Sequence, residues 1–162
     1  SELKKYLNVL VIGLVIGHAF GRIGCFCAGC CFGKITDSFL GIVFPEGSSP
    51  YYYIVKHYVS EGMMLEVAEE LALSTKVFPT QLFEAAFLFI LAFTLHKLKH
   101  HQFEIYLISY GIFRFLLEFL RADDRGSLFG FFSPSQWLSI FIIIAGIISL
   151  LIEYKQKKSL QM

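Results

Sequence analysis

Lipid offers a polypeptide backbone no hydrogen-bond partners, so a segment that crosses a bilayer must satisfy its own N–H and C=O groups as a helix or in a closed barrel. That constraint governs this chain, which carries four apolar runs of roughly spanning length, at 3–26, 79–95, 103–120 and 134–152. None of them alternates apolar with polar residues as a barrel strand does, so helices are expected. The composition agrees. With 56% hydrophobic residues, 17% charged residues and 18 phenylalanines in 162 positions, the chain is too apolar for a water-soluble domain of this size. The net charge is +1 and no basic patch is interleaved with exposed aromatics, which sets nucleic-acid binding aside. The expected fold class is an all-α integral membrane protein, a single membrane domain over 1–162 with four transmembrane helices and a structured extracytoplasmic segment at 34–78.

Lysine placement orients the spans. Lys4 and Lys5 precede the first run, Lys97 and Lys99 lie between the second and third, and Lys155, Lys157 and Lys158 follow the fourth. A chain crossing four times puts these on one side, so both ends are expected to be cytoplasmic, with 34–78 and 121–134 on the opposite side. Lys4 and Lys5 also resemble the start of a signal peptide. The run behind them is glycine-rich and no small-residue cleavage site follows, so it reads as a mature helix, or as the first remaining helix of a longer protein.

Within 34–78, FLGIVFPEG suggests a short strand and turn broken by Pro45 and Gly47. Between Glu61 and Leu73, Met64, Val67, Ala68 and Leu71 recur at helical spacing opposite Glu66, Glu69 and Glu70, which reads as an amphipathic helix at the membrane surface. Tyr51, Tyr52 and Tyr53 read as interfacial anchors.

Against this apolar background the polar residues stand out, because an ionisable side chain at membrane depth costs at least a few kcal/mol and marks a functional position by default. The first run ends in HAFGRIGCFCAGCCFG. Gly13, Gly17, Gly21 and nearby Gly24 form a small-residue stripe that suits close helix packing. His18, Arg22 and Cys25 follow a neighbouring stripe, and His18 is either a satisfied interior histidine or a proton-transfer group. In the third run Tyr110, Arg114, Glu118 and Arg121 fall within one helical quadrant. Arg114 and Glu118 stand four residues apart and suit a pair. Two membrane arginines, Arg22 and Arg114, with few interior carboxylates, suggest that the two forks converge on an anion from outside the protein, a phospholipid head group. The second run opens on Pro79 or Thr80 as a helix start, with Gln81 and Glu84 on one face; Glu84 reads as the neutraliser of an arginine, or else as an acid or base. Gln136 follows Pro134 in a similar position and reads as interfacial.

The four cysteines, Cys25, Cys27, Cys30 and Cys31, lack the paired C-x2-C spacing of a zinc site and have no second cluster in the chain. They read as small packing residues or a local disulfide. Redox or metal chemistry at the cluster is the alternative reading.

GRIGCFCAGCCFG, from Gly21 to Gly33, resembles the signature G-R-x-G-N-F-x-N-x-E-x-x-G of the prolipoprotein diacylglyceryl transferases, with Gly21, Arg22, Gly24, Phe26 and Gly33 in register. PTQLFEA from Pro79 resembles that family's H-P-S-Q-L-Y-E-A. YGIFRFLLEFLRADD from Tyr110 resembles Y-G-x-F-R-x-x-x-E-F-x-R-x-P-D, and SPSQWLS from Ser133 resembles S-M-G-Q-x-L-S. The resemblance implies a multi-pass enzyme of the bacterial inner membrane. It would move the diacylglyceryl group of phosphatidylglycerol onto the lipobox cysteine in the signal-peptide region of a prolipoprotein. Its partners are that lipid, that peptide and membrane lipids, with no cofactor and no metal. By the same resemblance, Arg22 and Arg114 hold the lipid phosphate; Tyr110, Glu118 and Arg121 shape the pocket; and Gln81 and Glu84 line it. The sequence departs from the pattern at Cys25, Ala28 and Cys30, where the family has Asn, Asn and Glu, and at Phe78, where it has His. The family's H-G-G-L stretch, which carries a candidate base, has no counterpart here, and His18 is the residue in place to replace it. The four runs match the last four of the family's seven spans, as in a C-terminal portion of the fold or a divergent member.

Overall fold

The computed structural model describes residues 2–98, 100–122 and 132–159, the side chains of 2–5 and 157–159 excepted. It is helical, with α1 at Glu2–Cys27, α2 at Ser49–Ser60, α3 at Leu65–Ala72, α4 at Thr80–Lys97, α5 at Gln102–Leu117 and α6 at Pro134–Ser159. A 3₁₀ turn, Glu118–Leu120, extends α5. No strand occurs among the described residues, only isolated bridges. Four of the helices coincide with the four apolar runs. Two of those, over Tyr6–Cys27 and Pro134–Gln156, are long and apolar enough to cross a bilayer. The 18 residues of α4 and 16 of α5 give about 27 and 24 Å of helix at 1.5 Å per residue, short of the roughly 30 Å hydrocarbon layer.

The described residues divide into two compact units. The first holds α1 up to Phe20, α4 from Glu84, α5 with Glu118 and Phe119, and α6. Its core joins Val11, Val15 and Ala19, spaced four apart on α1, to Leu88, Leu91, Ala92 and Leu95 of α4. This is the i, i+4 geometry that lines one helix face. The Asn8 side chain accepts the Phe103 N–H at 3.1 Å, satisfying a donor that the start of α5 leaves without an intrahelical partner. α5 and α6 pack most extensively of all the helices. A Cβ on Gly111 would lie 2.6 Å from Ile143 and 3.0 Å from the Ser139 carbonyl oxygen, so only glycine allows that approach. Outward, Val9, Leu10, Leu14 and Phe20 of α1 and Leu138, Phe141 and Leu151 of α6 are exposed, an apolar surface suited to lipid rather than water.

The second unit holds the end of α1 from Gly21, α2, α3, the start of α4 to Phe83, and 120–122. Tyr51, Ile54 and Val55 of α2 pack with Ala68 and Ala72 of α3 and with Phe44 and Val77. Ser48 caps α2 by accepting the Tyr51 N–H at 3.4 Å, and Pro50 stands in the first turn, where its missing N–H costs nothing. Tyr51 is therefore core and Tyr53 packs beside it; of the three tyrosines read as anchors only Tyr52 is largely exposed, at 62%. The strand expected in FLGIVFPEG reduces to single bridges, Ile42 and Ile35 each pairing with Val77. The amphipathic helix is shorter than expected, since Gly62, at φ +93°, breaks the chain before α3. α3 buries Ala68 and Ala72, while Val67 and Leu71, with Met64 just before the helix, stay on the outside, so of the four residues on the apolar face read from spacing only Ala68 packs within the unit.

Two glycine readings separate here. Gly13, Gly17, Gly21 and Gly24 have nothing within 4 Å of an added Cβ, so the stripe expected to admit a second helix faces open space. Gly33 is the reverse: a Cβ there would meet the Leu120 carbonyl oxygen at 2.6 Å, Phe78 at 2.7 Å and Thr80 at 2.8 Å. Gly33→Ala is expected to lower stability by about 3 kcal/mol through forced displacement of backbone. Gly17→Ala should be neutral or stabilising by up to about 1 kcal/mol, as alanine is the better helix former. Thermal unfolding of the two variants in detergent checks this; equal midpoints would contradict the Gly33 packing.

Candidate functional site

In the first unit two polar groups sit one turn apart along α5. At the first, Glu84, 1% exposed, accepts a hydrogen bond from the Tyr110 hydroxyl at 2.9 Å. His18 Nε2 lies 3.8 Å from the same carboxylate, and its ring meets the Tyr110 ring edge-on at 5.1 Å. A buried carboxylate in apolar surroundings needs such partners, because its ionised form is otherwise strongly disfavoured. Carboxylate, phenol and imidazole in contact can relay a proton. His18 is thus placed beside an acid, as either a base or a satisfied histidine requires.

At the second, Arg114 Nη1 lies 2.7 Å from Glu118 Oε2, with both side chains under 10% exposed. Arg114 Nη2 also donates to Ser135 Oγ at 3.1 Å, and Ser133 Oγ donates to the other Glu118 oxygen at 2.8 Å. The start of α6 builds this support. Ser133 and Gln136 form a reciprocal cap, the Ser133 N–H donating to Gln136 Oε1 at 3.0 Å and the Gln136 N–H to Ser133 Oγ at 3.2 Å. Gln136 is accordingly a buried capping residue rather than an interfacial one. Ser133 and Ser135 were legible only as part of SPSQ, a serine three residues before a glutamine, which is a helix-start signal.

In the second unit the segment after α1 is fastened at its carbonyls. Gln81 Nε2 donates to the Cys30 oxygen at 2.5 Å and Thr80 Oγ1 to the Cys31 oxygen at 2.7 Å, so Thr80 serves this loop with its side chain while opening α4 with its backbone. The Gly33 N–H donates to the Phe78 oxygen at 2.7 Å, and Gly33 bridges Arg121. Arg121 does not lie on the helical line expected with Tyr110 and Arg114. The helix ends at Leu117, and after the 3₁₀ turn the chain carries Arg121, 4% exposed, into the second unit. There it hydrogen-bonds the Cys31 thiol, on which the charge of Arg22 also acts. All four thiols are free, so the local disulfide expected as one reading of the cluster is not formed.

Among the described residues, two groups gather three metal-ligating side chains with donor atoms within 4.8 Å of one another: Cys25, Cys30 and Cys31, and His101, Glu104 and Glu153. In the second, His101 Nδ1 is already 2.8 Å from Glu153, and Glu104 accepts from Ser149, interactions that tie α5 to α6.

The neighbouring thiols differ. Burial pushes Cys30 up, the charge of Cys31 adds to it, and the result is about 11. Burial also raises Cys31, but the hydrogen bond and charge of Arg121, a hydrogen bond from Cys30 and the charge of Arg22 outweigh it, leaving Cys31 below the ordinary thiol value. Because thiolate is the reactive form, of these two thiols Cys31 should alkylate before Cys30 as pH rises in metal-free protein. Peptide mapping after iodoacetamide labelling across pH checks the order; Cys30 reacting first would contradict it.

Described residues that are helical, with an apolar exterior, buried arginines and glutamates and a half-buried histidine, are those of a membrane-type protein with polar groups in its interior. It belongs to the prolipoprotein diacylglyceryl transferase family, whose family model matches residues 2–152. The chain is 40% identical to a Clostridium perfringens protein named phosphatidylglycerol–prolipoprotein diacylglyceryl transferase 2, over 91% of this chain and 54% of that protein. Proteins named phosphatidylglycerol–prolipoprotein diacylglyceryl transferase are 36% identical in Clostridium tetani, over 90% of this chain and 52% of theirs, and 33% identical in Chlorobaculum tepidum, over 96% and 48%. The chain thus spans about half the length of the curated relatives it matches. The family is one of bacterial inner-membrane transferases.

Proposed function

We propose that this chain acts in the transfer of the diacylglyceryl group of phosphatidylglycerol to the lipobox cysteine of a prolipoprotein. In that reaction the peptide thiol loses its proton and the thiolate attacks the glycerol carbon that bears the phosphate ester. A carbon–sulfur bond forms, the carbon–oxygen bond breaks, and glycerol phosphate departs with the electron pair. The residues divide the work by their chemistry. Arg114 in the first unit and, separately, Arg22 and Arg121 in the second each carry a fork suited to the negative charge that grows on a departing phosphate, where fixed donors act most strongly. His18, backed by Glu84 and Tyr110, takes the thiol proton. Gln81 orders the loop behind Arg22, and Glu118 orients Arg114.

The observation that carries this reading is the buried Arg114 held against Glu118. A guanidinium has five N–H donors in a planar fork that suits a phosphate as well as a carboxylate, and here Glu118 and Ser135 fix the orientation of that fork through two of its three nitrogens. In this reading α1, α4, α5 and α6 all span the inner membrane as one domain. The chain ends and the lysine-rich turn after α4 face the cytoplasm, 34–78 is extracytoplasmic, and α3 lies on the membrane surface with Met64, Val67 and Leu71 toward lipid.

Labelled phosphatidylglycerol and a lipobox peptide test the transfer. Mass added at the peptide cysteine is the expected result. Arg114→Ala should slow it at least 100-fold, with Arg114→Lys recovering only part because a point charge lacks the fork. His18→Gln should slow it at least 10-fold. Arg114→Ala turnover equal to the unaltered protein would overturn the reading, and unchanged His18→Gln turnover would remove His18 as the base.

A further inference from the structure

Two members of the cysteine cluster, Cys25 and Cys30, stand where the family pattern has Asn and Glu, Cys31 stands at a position the pattern leaves open, and the transfer reading leaves the cluster without a part. Its geometry is specific. The sulfurs of Cys25, Cys30 and Cys31 lie within 4.8 Å of one another, while Cys27 is exposed and outside the group. Cys25 is in the last turn of α1. The Cys30 N–H donates to the Cys25 oxygen at 3.0 Å, and the Cys30 thiol faces the same oxygen at 3.5 Å, folding the loop back over the helix end. Gln81 and Thr80 fasten the Cys30 and Cys31 carbonyls. Cys31 is held at φ +62°, a conformation that costs a residue with a Cβ about 1–2 kcal/mol and that persists only where its surroundings impose it. Three thiols are thus held together by structure rather than by chance proximity on a surface.

We propose that Cys25, Cys30 and Cys31 form a trithiolate site for a soft divalent ion of the zinc class, whose open fourth position takes the incoming peptide thiol. Zinc–sulfur bonds of about 2.3 Å set sulfur–sulfur edges of about 3.8 Å in a tetrahedron, so the cluster closes on an ion with shifts of about 1 Å or less. Sulfur-only donors select soft metals over magnesium or calcium. Three thiolates with one divalent ion carry a net charge of −1, beside Arg121 and Arg22, whose charges already act on Cys31. Three protein ligands leave a tetrahedral ion one position open, as in catalytic rather than structural zinc sites. A thiol entering that position passes its proton to solvent water on coordination and is held as thiolate, so with the ion bound this route replaces deprotonation by His18. Thiolate is the form the transfer needs, so this inference rests on the transfer reading for its use, though the ion binding does not.

The test uses the whole chain in detergent with zinc and cadmium as probes. The expected result is one ion per chain, an ultraviolet thiolate-to-cadmium charge-transfer band, and protection of Cys25, Cys30 and Cys31, but not Cys27, from alkylation in the unaltered protein. Cys30→Ser should weaken binding at least 10-fold and Cys27→Ser should leave it unchanged. A lipobox peptide should intensify the band, and its Cys→Ser analogue should not. Absence of a bound ion, protection that extends to Cys27, or indifference to the peptide thiol would each overturn the proposal. Transfer that persists after chelation sinks this site and leaves the transfer reading standing. Ion and peptide binding without transfer does the reverse.

Discussion

The contact between Arg114 and Glu118 is the interaction on which the first unit depends. Both side chains are withdrawn from water in an apolar setting, where an isolated charge is untenable and removing one partner of such a pair costs about 3–5 kcal/mol. The helix supplies the meeting, since positions four apart lie on one face. The start of α6 supplies the rest: Ser133 satisfies the carboxylate, Ser135 the guanidinium, and Gln136 holds Ser133 by capping. Glu84 obeys the same rule through Tyr110 and His18. These buried polar residues of the first unit are therefore organised as small paired sets, each assembled from more than one helix.

The second unit meets a different constraint. Its loop after α1 carries backbone groups that lie outside any helix, and buried backbone groups need partners. Thr80, Gln81, the Phe78 carbonyl and the Leu120 carbonyl provide them. The closeness of these partners is what requires glycine at position 33. The family pattern at Gly33 thus has a local physical cause, a backbone oxygen where a methyl group would stand.

Much of this was legible in the chain. Apolar runs located α1, α4, α5 and α6, because helix formation in each is driven by the same residues that make it apolar. The spacing of Arg114 and Glu118 announced their pairing. What escaped depends on contacts that spacing does not encode. Helical periodicity placed Arg121 in line with Arg114, but the chain leaves the α-helix at Leu117 and Arg121 meets Cys31 instead. Three tyrosines in a row suggested an interface, whereas Ser48 and Pro50 begin a helix there that buries Tyr51. The Gly13–Gly17–Gly21 stripe was read as a packing face, yet Val11, Val15 and Ala19 are the residues that pack. In the cysteine loop, the left-handed turn at Cys31 gives no sign in the residue type, since glycine is what such a conformation favours.

The central claim is that arginines carried by this apolar chain recognise an anionic lipid head. Native mass spectrometry of the protein from nanodiscs holding equal phosphatidylglycerol and phosphatidylcholine tests it most directly. The account predicts that phosphatidylglycerol is retained at least 10-fold over phosphatidylcholine, with the preference lost in both Arg22→Gln and Arg114→Gln. Equal retention of the two lipids by the unaltered chain, or a preference that survives both substitutions, would contradict it.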